Sequence, residues 1–168
     1  MAVGGWCDGQ GPFWGDLVGP NPTDRGKKGC KRSVIVEGNG RPLGIVIAGA
    51  NVHDTKLLSA TIDAIVVERP KTTQNLCLDK GYDNPTGHRT TAEHGYVSHI
   101  RRIGEEKLDP HRVKRLPARR WVVERMLAWV SKCRGLLVRY EKKSCNYLAQ
   151  LQLCCALLWY RRSRQLGF

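Results

Sequence analysis

The stretch Leu76-Cys77-Leu78-Asp79-Lys80-Gly81-Tyr82-Asp83 decides the fold. Apolar residues lead to a single carboxylate, and Gly81 interrupts the run directly afterwards. The pattern predicts a short buried strand that delivers Asp79 to its C-terminal tip, where open α/β sheets carry their chemistry. Upstream, two β-branched runs, Ser33-Val34-Ile35-Val36-Glu37 and Pro42 to Ala48, flank Gly38-Asn39-Gly40 and predict a hairpin. Between hairpin and strand, Leu57, Leu58, Ile62, Ile65 and Val66 recur at helical spacing, with Asp54 placed as the N-cap. Downstream come a short helix over 86–95, a strand over 95–100 and a polar loop spanning roughly 101–117. Two helices close the chain. The first, after Pro117, has Val122, Met126, Trp129 and Cys133 on one stripe; the second, about 144–163, buries Tyr147, Leu151, Cys154 and Leu158. Hairpin first, then alternating helices and strands, predicts an α/β fold: a mixed sheet flanked by helices.

The 168 residues suffice for one domain with a real core. Residues 1–30, rich in Gly and Pro, read as an irregular, truncated N-terminal segment, and 31–168 as the domain proper. The net charge of +13 is unevenly placed: 11 basic and 10 acidic residues in 1–100, against 17 and 5 in 101–168. Such a one-sided field favours a polyanion, nucleic acid first. The seven cysteines include no C-x-x-C pair, so they read as small core hydrophobes in a reducing compartment rather than as a zinc site. The longest apolar stretch, Leu148 to Tyr160, is interrupted by Gln150 and Gln152 and is shorter than the roughly 20 residues of a membrane span. With no secretory leader visible, a cytoplasmic protein without a membrane partner is expected.

Glu124, inside Arg119-Arg120-Trp121-Val122-Val123-Glu124-Arg125, lies off the apolar stripe of its helix. One acid on a strand tip and another on a basic helix suggest a divalent-metal site working on a phosphate backbone. Taken singly, Asp79 reads as a turn residue and Glu124 as a surface partner of Arg120. Trp121, Trp129 and Trp159 could stack on bases, although helical spacing favours core packing. Arg25, Lys27, Lys28, Lys31 and Arg32 read either as a solvated loop or as a phosphate-tracking cluster.

Several stretches together resemble the DDE transposases of bacterial insertion sequences, in the insertion-sequence-five group. They are Gly19-Pro20-Asn21-Pro22-Thr23-Asp24-Arg25-Gly26, Gly49-Ala50-Asn51-Val52-His53-Asp54, Leu78 to Asp83, Arg119 to Arg125, and Arg139-Tyr140-Glu141-Lys142-Lys143 with Asn146-Tyr147-Leu148-Ala149. The resemblance implies a ribonuclease-H-like catalytic fold and a triad of acids that binds Mg²⁺ or Mn²⁺. Asp79 matches the second aspartate and Glu124 the glutamate. Counting back from Gly19 without a gap puts the first acid near Gly5, where none exists; Asp8 is the candidate, with Asp16 and Asp24 behind it. Where the family carries Tyr before the arginine and Lys after the glutamate, this chain has Pro117 and Ser131, with Lys132 one residue late. The resemblance further implies double-stranded DNA, both element ends and target, as partner, with Arg25, Lys27, Lys28, Arg119, Arg120 and Lys132 as DNA contacts, and a homodimer as the acting form. Beside the catalytic reading stand a catalytically inactive DNA-binding remnant, one half of a split transposase, and a basic RNA-binding structural protein.

Overall fold

A computed structural model describes residues 2–10, 15–100 and 120–165, with the backbone alone described at 2–10, 120 and 165. The elements in order are β1 (Ala2–Gln10), β2 (Gly19–Pro20), β3 (Lys28–Val36), β4 (Pro42–Gly49), α1 (Asp54–Asp63), β5 (Gln74–Leu78), α2 (Pro85–Glu93), β6 (Tyr96–Ile100), α3 (Arg120–Ser131), α4 (Arg134–Leu137) and α5 (Ser144–Gln165). A 3-10 turn, Lys80–Tyr82, links β5 to α2. The α/β expectation holds, with a mixed sheet. β4, β3 and β1 run antiparallel to one another, β5 pairs in parallel with β1, β6 in parallel with β5, and two-residue β2 lies on β3.

The sequence reading has residues 1–30 as irregular, but the described residues among them include regular strands. They contain β1 and β2 and the start of β3. β1 is the strand that joins the two halves of the sheet, with partners on both sides. Long-range pairing overrides the poor local strand propensity of its glycines.

Side-chain alternation divides the core into two layers. On one face, Ile35, Leu43, Leu76 and Leu78 pack with Leu58 and Ile62 of α1 and with Tyr82. On the other, Cys30, Val34, Val36, Ile45 and Ile47 pack against α3, α4 and α5 through Val122, Met126, Val130, Leu136, Tyr147, Leu151 and Cys154. The hairpin closes through Gly40, whose φ of +88° and whose contact with Val122 and Arg125 leave no room for a side chain.

Some local expectations need correction. The N-cap of α1 is His53, whose Nδ1 accepts from the Thr55 amide at 3.3 Å, and Asp54 is the first helical residue. The buried stripe of α3 is Val122, Val123, Met126, Leu127 and Val130; Trp121 is 55% exposed, Trp129 is half-buried and Cys133 exposed. Cys145 is exposed as well, so the cysteines are not uniformly core residues. The closing helix matches its forecast, with Tyr147, Leu151 and Cys154 buried and Leu158 packed against them.

Candidate active site

Asp79 directly follows β5 in extended conformation and caps the 3-10 turn, its Oδ1 accepting from the Lys80 amide at 2.7 Å. Leu76 and Leu78 point into the α1 layer, whereas Cys77 packs against the layer holding α3. Asp79 stands one residue past Leu78, at the C-terminal tip of β5. On the face to which Cys77 points, α3 lies across β1, the neighbour of β5. Glu124 is on the exposed side of α3, away from the buried Val122, Met126 and Val130.

The 3-10 turn is anchored from below. Tyr82 is buried, and its hydroxyl is hydrogen-bonded to Ser33 of β3, whose Oγ accepts from Thr61 of α1 at 2.8 Å. Burial pushes the Tyr82 hydroxyl well above its usual range, and the nearby Asp54 and Asp79 carboxylates push it further. Tyr82 thus stays a neutral donor under Asp79. Beside it, Lys31 is almost wholly buried; its Nζ donates to Asp54 Oδ1 at 2.8 Å and to the Val52 carbonyl at 2.9 Å, pinning the start of α1 to β3.

Asp8 lies in β1, opposite Lys31. Because Ala2 pairs with Cys77, the residue of β1 level with Asp79 is Gly4, next to an irregularity between Val3 and Gly5. At about 3.3 Å per residue, Asp8 stands about 10 to 13 Å farther along the strand. The backbone register does not bring Asp8 level with Asp79. Among the described residues no group of three His, Cys, Asp or Glu side chains gathers as a metal cage. Asp79 and Glu124 nevertheless suit Mg²⁺ in kind, since that ion is a hard acceptor of oxygen ligands held through one or two carboxylates plus substrate phosphates. Asp83 serves the turn instead: its carboxylate pairs with His88 Nε2 at 3.1 Å.

The basic residues divide sharply. Arg25 and Lys27 are exposed on the loop before β3 and Lys28 is exposed at its first residue, Lys27 pairing with Asp24 at 3.5 Å. Lys31 and Arg32 drop out of that cluster, because both are buried and Arg32 donates to the Leu136 carbonyl at 3.1 Å. Lys132 is exposed just after α3. Arg120 opens α3, with its side chain outside the described atoms, and Arg119 lies outside the described residues. Sequence reasoning missed the Lys31–Asp54 pair; a lysine inside an otherwise apolar strand was its only signal.

The sequence profile of the family described as transposase DDE domain matches residues 8–159. A Burkholderia cepacia protein assigned as the transposase of insertion sequence element IS402 is 34% identical over 157 residues, covering 87% of this chain and 71% of its own length.

Proposed function

The chain belongs to the family of transposases with a DDE domain, and from that premise we propose that it cuts DNA phosphodiesters and transfers the cut strand at insertion-sequence ends, with a divalent metal at Asp79 and Glu124. The observation that carries this reading is the position of Asp79 at the tip of β5, the neighbour of the strand that α3 crosses with Glu124 on its exposed side. A ribonuclease-H-like assignment is supported by the sheet itself, an antiparallel meander continued by two parallel strands with helices on both faces.

In this reading Asp79 and Glu124 hold Mg²⁺ or Mn²⁺, and Asp8 is the candidate third acid. When bound, such an ion lowers the pKa of an attacking water or 3′-hydroxyl and stabilises the leaving oxygen. The chain contributes position. The Lys80 amide fixes one oxygen of Asp79, and Tyr82 fixes the turn from beneath. Arg119, Arg120 and Lys132 hold phosphates beside Glu124. Arg25, Lys27 and Lys28, at the end of β3 paired with Gln10, lie about 20 Å along the strand from the level of Asp79 and engage the flanking duplex. Each phosphate neutralised adds about 0.9 to the salt slope of binding. The protein acts on double-stranded element ends and target, as a homodimer in the cytoplasm.

The second reading is a catalytically inactive DNA-binding remnant or split-gene half, favoured by the register of Asp8. Nicking of supercoiled plasmid in Mg²⁺ or Mn²⁺ separates the two. Catalysis predicts nicking lost in Asp79→Asn and in Glu124→Gln, with Asp8→Asn deciding the third ligand. DNA binding without nicking by the unaltered chain would select the second reading.

A further inference from the structure

Two free thiols meet where α3 gives way to α4. The Sγ atoms of Cys133 and Cys154 lie 3.7 Å apart, at thiol–thiol hydrogen-bond distance. Their settings differ. Cys133 is exposed, sits in extended backbone between the two helices and makes no capping hydrogen bond to α4, so its side chain can turn about χ1. Cys154 is 7% exposed and packed in the layer of Val34, Met126 and Leu151. Burial pushes its thiol up to about 11, the neighbouring Cys133 thiol adds to the rise, and the Arg161 charge works against it. A disulfide brings its sulfurs to about 2.05 Å, so turning Cys133 has to close about 1.7 Å. Cys145, also exposed, lies nine residues before Cys154 on α5, about 13 Å along the helix and out of its reach.

We propose that Cys133 and Cys154 form a peroxide-responsive dithiol, which closes to a disulfide and latches the end of α3 to α5. The exposed Cys133 reacts first, as its thiolate. Its sulfur attacks one oxygen of hydrogen peroxide; the O–O bond breaks, a sulfenic acid forms, and the departing hydroxide takes up a proton to become water. The Cys154 sulfur then attacks the Cys133 sulfur. An S–S bond forms, the S–O bond breaks, and the hydroxide that leaves carries off the Cys154 proton as a second water. Two thiols and one peroxide thus give one disulfide and two waters. Contact between the sulfurs makes the second step intramolecular, which offsets the small thiolate fraction of a buried thiol. In a reducing compartment such a bond is transient, the form in which disulfides serve as sensors. Neither step involves Asp79 or Glu124, so the latch does not depend on the metal site.

The test treats the folded full chain with hydrogen peroxide, blocks the remaining thiols with N-ethylmaleimide and maps unreduced peptides by mass spectrometry. A Cys133–Cys154 link should dominate, disappear with dithiothreitol and be lost in Cys133→Ser, a change at an exposed position that leaves the packed layer in place. Cys155→Ser should keep the link. In Cys154→Ala the second step has no partner, so Cys133 should persist as a sulfenic acid that dimedone captures. The oxidised chain should melt about 5–10 °C above the reduced one, because a bridge across residues 133–154 restricts the unfolded chain, and Cys133→Ser should show no such shift. The latch is overturned if the link is absent, forms as readily in the urea-unfolded chain or forms without raising Tm, and equally if dimedone captures nothing at Cys133 in Cys154→Ala.

Discussion

Removing the Asp54 carboxylate while keeping its shape, as Asp54→Asn does, takes the charged acceptor at 2.8 Å from the Lys31 ammonium. Lys31 is 7% exposed, and its Nζ donates to Asp54 Oδ1 and to the Val52 carbonyl. Breaking a fully buried pair from one side costs about 3–5 kcal/mol. Here the Asp54 side chain keeps 23% of its exposure and the Val52 carbonyl stays in place, so about 2–3 kcal/mol is expected. For a chain of this length that is a fall of about 5–10 °C in Tm. The double variant Lys31→Met/Asp54→Leu removes both charges together and regains all but about 1 kcal/mol, because an apolar pair of similar volume replaces a buried ion pair at little cost. Urea unfolding of the unaltered chain, Lys31→Met, Asp54→Leu and the double variant, compared through their midpoints at constant slope, measures the coupling. If Asp54→Asn costs under about 0.5 kcal/mol, or the two single changes add, the ammonium is not held by Asp54 and the reasoning fails.

Above about pH 10 the unfolded chain releases the Tyr82 proton while the folded chain retains it, so stability falls as pH rises; Tyr82→Phe should flatten the alkaline limb of a pH–stability curve. Burial pushes the Cys155 thiol up to about 12, so a thiol reagent at pH 8 should label Cys133 and Cys145 well before Cys155, as followed by mass spectrometry. At Gly40, an added Cβ would sit 2.9 Å from an Arg125 nitrogen at positive φ; Gly40→Ala should cost about 1–3 kcal/mol in a denaturant titration.

Three elements of this molecule were legible from local pattern alone. The hairpin, the Asp79 strand and the closing helix announce themselves through alternation, a glycine turn and a four-residue repeat, each within a dozen residues. Strand β1 does not, because its glycines are held extended by β3 on one side and β5 on the other, and no local pattern encodes a partner about 75 residues away. On α3 the sequence shows the stripe that begins with Val122 and Met126, both fully buried, but the buried face widens to Val123, Leu127 and Val130 and leaves Trp129 half-buried and Cys133 exposed. Lys31 and Arg32 look like surface charge because their partners, Asp54 and the Leu136 carbonyl, lie far along the chain. At the site, the assignment of Asp79 and Glu124 rests on resemblance, whereas the level of Asp8 relative to Asp79 depends on strand register.

The joining place of β1 also sets a timetable for synthesis. This strand is made before both its parallel neighbour β5, which follows only at Gln74, and its cover, α3, which follows only at Arg120. Until α5 has emerged, the layer built on Val34, Val36, Ile45 and Ile47 lacks Tyr147, Leu151 and Cys154 and stays wet. A nascent chain stalled or terminated before Ser144 therefore displays an uncovered apolar sheet face, the kind of surface that chaperones and proteases recognise. Closure of this layer therefore waits for α5, and products that end before it are expected to be cleared rather than to accumulate.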